Sequence, residues 1–196
     1  MNAASPMTLK FRPGLRLSDR AFWKLCRANP DMRLERTADG ELEIMAPAGS
    51  DSGRRNASLT SQLWIWNQST KSGEAFDSSS GFTLPNIAVR APDASWIAKD
   101  RWDALTRDER ERFAPICPDF VVELSSRTDL ASHLRAKMRE YIAQGARLGW
   151  LIDPKTDTVE IYRPGQQVEI LTRPEALSGE DVLPGFVLDL EGILSD

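Results

Sequence analysis

Cysteine and histidine are the scarce residues of this 196-residue chain, which holds two cysteines, Cys26 and Cys117, and one histidine, His133. The cysteines lie far apart, with no second Cys or His at ligand spacing, which argues against a zinc ribbon and a disulfide framework. A single histidine rules out sites built from two and leaves a histidine-dependent triad without support. No run approaches the roughly 20 apolar residues of a membrane-spanning helix. The opening MNAASPMTLKFRPG lacks the apolar stretch of a secretory signal, so a soluble cytoplasmic protein is expected. There is no glycine-rich phosphate loop, no nucleophile elbow, no internal repeat and no low-complexity segment. Nor is there an excess of positive charge: 25 Lys and Arg against 29 Asp and Glu leave a net charge of −4. That balance does not advertise nucleic-acid binding, although a carboxylate-rich site lowers the total while a local basic face does the binding. Basic clusters occur at Arg54-Arg55, Arg101 to Arg112 and His133 to Arg139, and each taken alone reads as a solvated helix face.

What is present is ordinary for a globular chain: 41% hydrophobic and 28% charged residues, enough for one domain over 1–196 with a substantial core. Ser18 predicts an N-cap for a short helix through Phe22, Trp23 and Leu25, ending near Asn29-Pro30. Met32 to Thr37 and Glu41 to Met45, joined by Asp39-Gly40, predict a hairpin. Pro47, Gly49 and Gly53 mark a loop before a helix over 54–70. Phe76 to Leu84 reads as an irregular strand, Asp93 to Ile97 as a strand, and Lys99 to Phe113 as a polar surface helix or connection. Phe120 to Leu124 and Leu148 to Ile152 have the unbroken apolar character of strands covered on both faces. Between them Asp129 is expected to cap a helix running to about Gln144 and ended by Gly145. Val159 to Tyr162 and Val168 to Leu171 continue a meander, and the tail from Leu177 to Ile193 closes the core. Trp64, Trp66, Trp96 and Trp150 are read as core residues. The expected fold class is α/β: a mixed central β-sheet flanked by helices on both faces, with an N-terminal helix and hairpin.

One residue is out of place in this pattern. In Phe120-Val-Val-Glu123-Leu124 a carboxylate sits inside a core strand, and burying it requires pairing, protonation or a cation. Period-two alternation puts Glu123 and Ser125 on one face and Val122 and Leu124 on the other. On the following helix Leu130, Leu134, Met138 and Tyr141 form an apolar stripe, with Lys137 at its edge. Lys137 can therefore lay its stem on the core and aim its ammonium at Glu123. Upstream, Asp93 opens a strand after Ala91-Pro92, where its carboxylate can face the end of a neighbouring strand. Two carboxylates and a lysine converging on one sheet edge suit Mg²⁺ or Mn²⁺, which take one or two protein carboxylates and keep waters for a substrate. The plainer alternatives are a buried structural ion pair for Glu123 and Lys137, and turn residues for Asp93 and Asp119. His133 faces away from the stripe and reads as polar surface.

The segments Pro118-Asp-Phe-Val-Val-Glu-Leu-Ser125, Lys137 to Tyr141, and Gly145-Ala-Arg-Leu-Gly-Trp-Leu-Ile-Asp-Pro154 resemble the Uma-two (Uma2) family of bacterial proteins. The hairpin Leu34-Glu35 to Met45 and the stretch Ala91-Pro-Asp-Ala-Ser95 match the family pattern as well. The resemblance implies a restriction-endonuclease-like, PD-(D/E)XK fold and an endonuclease hydrolysing DNA, with a Mg²⁺ (or Mn²⁺) cofactor and a homodimeric assembly. It makes Asp93 the motif aspartate and Glu123 the motif glutamate, holding metal together with the Leu124 backbone carbonyl. Glu41 is a candidate further acidic ligand. Ser125 occupies the expected lysine position, so the E-x-K signature is broken and the lysine role passes to Lys137. That break also supports an alternative, a catalytically inactive DNA-binding or accessory protein on the same fold.

Overall fold

Two antiparallel-rich sheets meet at the site, and the chain builds them in turn. The computed structural model describes residues 7–10, 16–45, 47 and 49–194. The expected loop residues Pro47 and Gly49 are among these. Strand β1 (Met7–Leu9) precedes helix α1 (Asp19–Ala28), which Ser18 caps as expected through its hydroxyl on the Ala21 amide. The hairpin β2 (Arg33–Arg36) and β3 (Leu42–Met45) forms, but it does not stand alone. Together with β1, β5 (Phe82–Thr83) and β6 (Val89–Arg90) it makes a five-stranded sheet in the order β1-β3-β2-β6-β5. The irregular strand expected over 76–84 is two strands, because Asp77 folds back on the Ser79 and Ser80 hydroxyls and turns the chain between sheets.

The central sheet has six strands in the order β11-β10-β9-β8-β7-β4. These are β4 (Gly73–Asp77), β7 (Ala94–Ala98), β8 (Phe120–Leu124), β9 (Leu148–Asp153), β10 (Thr158–Tyr162) and β11 (Glu169–Thr172). Only β8 and β9 run parallel among them. A parallel pair needs a crossover, and helix α5 (Ala131–Ala143) supplies it. Between β7 and β8 the expected polar connection resolves into the short helices α3 (Lys99–Asp103) and α4 (Arg107–Arg110). The tail adds β12 (Ala176–Ser178) and β13 (Val187–Asp189) as a pair.

Helices cover both faces of the central sheet, as the apolar runs demand. Helix α2 (Ser50–Thr70) places Leu59 and Leu63 against Ala94, Trp96, Phe120, Val122 and Leu124, and the tail closes this core with Leu183, Phe186 and Leu188. On the other face α5 packs Leu134, Met138 and Tyr141 against Ile97, Val121 and Leu151. Gly149 on β9 leaves room for the Met138 side chain of α5, since a Cβ there would lie 2.5 Å from the Met138 methyl carbon and push it aside. The helix ends where Gly145 takes a φ of 115°, a left-handed conformation that glycine adopts without steric cost.

Three local expectations need correcting. Helix α2 begins at Ser50, a turn before Arg54, with Gly53 inside it, because Asp51 pairs with Arg54 and Arg55 along the first turns. Helix α5 is capped at Leu130, not Asp129; the Asp129 carboxylate instead accepts the Ser126 amide and closes the preceding loop. Trp64 is 54% exposed and so is not a core residue, whereas Trp96 and Trp150 are buried. No helix of the described residues is long and apolar enough to cross a membrane.

Candidate functional site

Strand register does most of the work of assembling the site. Ala94 pairs with Val122 and Ser95 with Val121 across the antiparallel β7–β8 ladder, and Asp93, just before β7, donates its amide to the Val122 carbonyl at 3.0 Å, which brings it to the face of β8 that carries Val121 and Glu123. That face is the one α5 covers, since Val121, two residues before Glu123, packs against it. Helix α5 then delivers Lys137, whose ammonium lies 2.8 Å from Glu123 Oε1. The structure thus brings Asp93, Glu123 and Lys137 together, as periodicity suggests. Tyr141, one turn further on, donates its hydroxyl to the same Glu123 oxygen at 2.9 Å.

Asp93 is tied from two sides. Its Oδ2 accepts the Leu124 amide at 2.8 Å, and Arg33 Nη2 lies 3.5 Å from its Oδ1. Leu124 therefore sits at the heart of the site through its backbone. Ser125, two residues after Glu123, is buried and hydrogen-bonded through its amide to the Ile152 carbonyl. Asp119 stays outside the cluster, accepting the Ala98 amide at 2.9 Å and pairing with Arg101 at 2.8 Å.

The five-stranded sheet contributes a second tier that the sequence did not reveal. Glu35 on β2 and Glu43 on β3 are register partners, and both are buried. Glu35 Oε1 receives Lys137 Nζ at 3.1 Å, and its Oε2 receives Arg90 Nη1 at 3.0 Å. The same Arg90 nitrogen donates to Glu43 Oε2 at 2.5 Å, while its Nε reaches Glu140 Oε2 on α5 at 2.6 Å. His133 is not plain polar surface: its Nε2 lies 3.9 Å from Glu43 Oε1. Glu41 takes no part in these contacts and pairs with Lys10 at 3.2 Å. The signal for Glu35 and Glu43 was available in principle, because the Asp39-Gly40 turn sets them opposite each other. What could not be read was that a second sheet covers this hairpin face.

Electrostatics divide the two buried glutamates. Burial disfavours charge on Glu35, but Lys137 and Arg90 outweigh it and hold its carboxyl at about 2. Burial also disfavours charge on Glu123, Asp93 and Glu35 add repulsion, and Lys137 only partly compensates, leaving it at about 7. Asp93 is raised from the usual carboxylate range mainly by burial, against the pull of Arg33. Lys137 suffers the same burial, yet Glu123 and Glu35 more than offset it and its pKa lies above that of an ordinary lysine. Burial, the largest cause of both upward shifts, makes charge on Asp93 and Glu123 costly even with Arg33 and Lys137 beside them, and a bound cation would relieve that cost. Two facing carboxylates suit Mg²⁺, which usually keeps several waters. Among the described residues no group of three His, Cys, Asp or Glu offers a fuller cage.

The family model of Uma2, described as "Putative restriction endonuclease", matches residues 20–191. The chain belongs to the Uma2 family. A crystal structure of a "putative nuclease" from Anabaena variabilis superposes with a TM-score of 0.73 at 22% identity, covering 92% of this chain and 97% of that one. At that identity the likeness speaks for the fold, which is the restriction-endonuclease-like α/β architecture expected from the sequence. No curated protein sequence matches. In this Uma2 chain the basic cluster over 101–112 is largely self-neutralised: Arg107 pairs with Glu111, Arg112 with Asp108 and Arg101 with Asp119.

Proposed function

We propose that this protein is a metal-dependent endonuclease that hydrolyses DNA phosphodiester bonds in a cytoplasmic setting. The observation that carries the reading is that Asp93 reaches the end of β8, its carboxylate accepting the Leu124 amide at 2.8 Å, beside the Glu123 to which Lys137 brings its ammonium within 2.8 Å. Asp93 and Glu123, with the Leu124 carbonyl, would hold one Mg²⁺ or Mn²⁺. Such an ion, when bound, polarises a phosphodiester oxygen and acidifies a water.

The chain's own groups have separate tasks. Lys137 has its pKa raised by two carboxylates, so it stays an ammonium and does not accept the water's proton. It acts as a fixed positive charge that orients the attacking water and offsets charge developing on the phosphate. Asp93 is held by the Leu124 amide, which fixes the carboxylate that would face the cation. A homodimer, which would bring two such sites to the two strands of a duplex, belongs to the same proposal.

One observation favours a second reading, a DNA-binding or accessory protein without turnover: the E-x-K lysine position holds Ser125. Incubation of the purified protein with supercoiled plasmid in Mg²⁺ or Mn²⁺ separates the two. Cleavage by the wild type, reduced about a hundred- to a thousandfold in Asp93→Asn, is expected. A wild type that retains DNA but is inert with both ions supports the binding protein instead.

A further inference from the structure

In an E-x-K site the amine and the carboxylate share a strand, so the backbone fixes their approach. Here the amine arrives from α5 on a four-carbon stem with many rotamers, which alone would place its charge loosely. Glu123 by itself is an incomplete anchor for it, because a carboxylate that also serves a cation divides its charge between the two.

Strand β2 provides what is missing. Glu35 is 0% exposed and every one of its contacts is a donor: Lys137 Nζ and the Ala91 amide on Oε1, both at 3.1 Å, and Arg90 Nη1 on Oε2 at 3.0 Å. The Ala91 peptide is gripped from its other end as well, since Arg33, on the same face of β2, donates to the Ala91 carbonyl at 3.0 Å. Ala91 lies two residues before Asp93. One carboxylate therefore ties together the helix-borne amine and the corner that delivers the aspartate.

We infer that Glu35 is a positioning residue that holds Lys137 and the Ala91–Asp93 corner in mutual register, replacing the backbone link that the broken E-x-K motif has lost. This inference rests on the nuclease reading above, so its test has two arms. In plasmid cleavage with saturating Mn²⁺, folded Glu35→Gln loses about ten- to a hundredfold in kcat while KM for DNA and Mn²⁺ affinity change by about twofold or less. In a crystal of the same variant, Lys137 Nζ no longer lies within hydrogen-bond distance of Glu123. A purely structural role would lower thermal stability without this split between kcat and KM. Wild-type kcat in folded Glu35→Gln, or an unmoved Lys137 in its crystal, overturns the inference. An inert wild type defeats the nuclease reading separately and leaves the crystal arm to decide the placement. If Glu35→Gln does not fold, Glu35→Asp keeps the charge but draws it back by one methylene. The same loss of kcat is then expected, and wild-type turnover in that variant overturns the inference.

Discussion

Lys137→Met is expected to destabilise the metal-free protein by about 3–5 kcal/mol, the range for stripping one partner from a buried ion pair. At about 2–4 °C per kcal/mol for a chain of this size, the melting temperature falls by about 10 °C. The size of the effect follows from the two carboxylates left behind. Glu35 and Glu123 are 0% and 3% exposed, and each repels the other's charge. The loss is smaller in mild acid. Glu123 already titrates at about 7, above its unfolded value of 4.5. A carboxyl raised in this way favours the folded state below its unfolded pKa and loses that contribution as pH rises through the folded pKa. Removing Lys137 takes away the group that lowers the Glu123 pKa, so the window widens upward. Melting at pH 5 and pH 8 checks this: the deficit should be greater at pH 8, and Lys137→Met/Glu123→Gln should recover part of it. Equal deficits at both pH values, with no recovery in the double variant, would show that charge is not the cause.

Arg90→Leu should be still more damaging, at or beyond about 5 kcal/mol, because one guanidinium is the shared ion-pair partner of three carboxylates. Arg90 is 6% exposed and links β6 to β2, β3 and α5. Leucine replaces the stem's apolar volume but leaves Glu35, Glu43 and Glu140 without their shared counter-ion. A loss of that size consumes a large part of the roughly 5–15 kcal/mol that keeps a domain folded. Urea denaturation of whatever soluble protein accumulates gives the number. A midpoint within experimental error of wild type would mean that the three contacts carry no net stability.

The central sheet was legible because its strands carry their own signal. Phe120–Leu124 and Leu148–Asp153 are unbroken apolar runs, and a parallel pair buried under helices is the structure such runs suit. Glu123 and Lys137 were legible for a related reason: a charge inside an apolar strand and one at the edge of an apolar helix stripe must each find a partner. The five-stranded sheet was not. Strands β5 and β6 have two residues each, too short for any alternation to register, and β6 owes its place to a few cross-strand contacts. Without that sheet nothing in the sequence distinguishes Glu35 and Glu43 from the solvated glutamates of an exposed hairpin, so Glu41, beside the turn, was as good a candidate. Arg90 was hidden in the same way, since a lone arginine before Ala91-Pro92 has no periodic context. The turn at 77–80 and the loop before α5 depend on the local hydrogen bonds of Asp77 and Asp129 side chains, which composition does not announce.

A crystal soaked in Mn²⁺ and measured at a wavelength where manganese scatters anomalously tests the site most directly. The account predicts one anomalous peak between the Asp93 and Glu123 carboxylates, lost in Glu123→Gln crystals soaked in the same way. A map with no peak there, or with manganese bound only elsewhere on the chain, would contradict it.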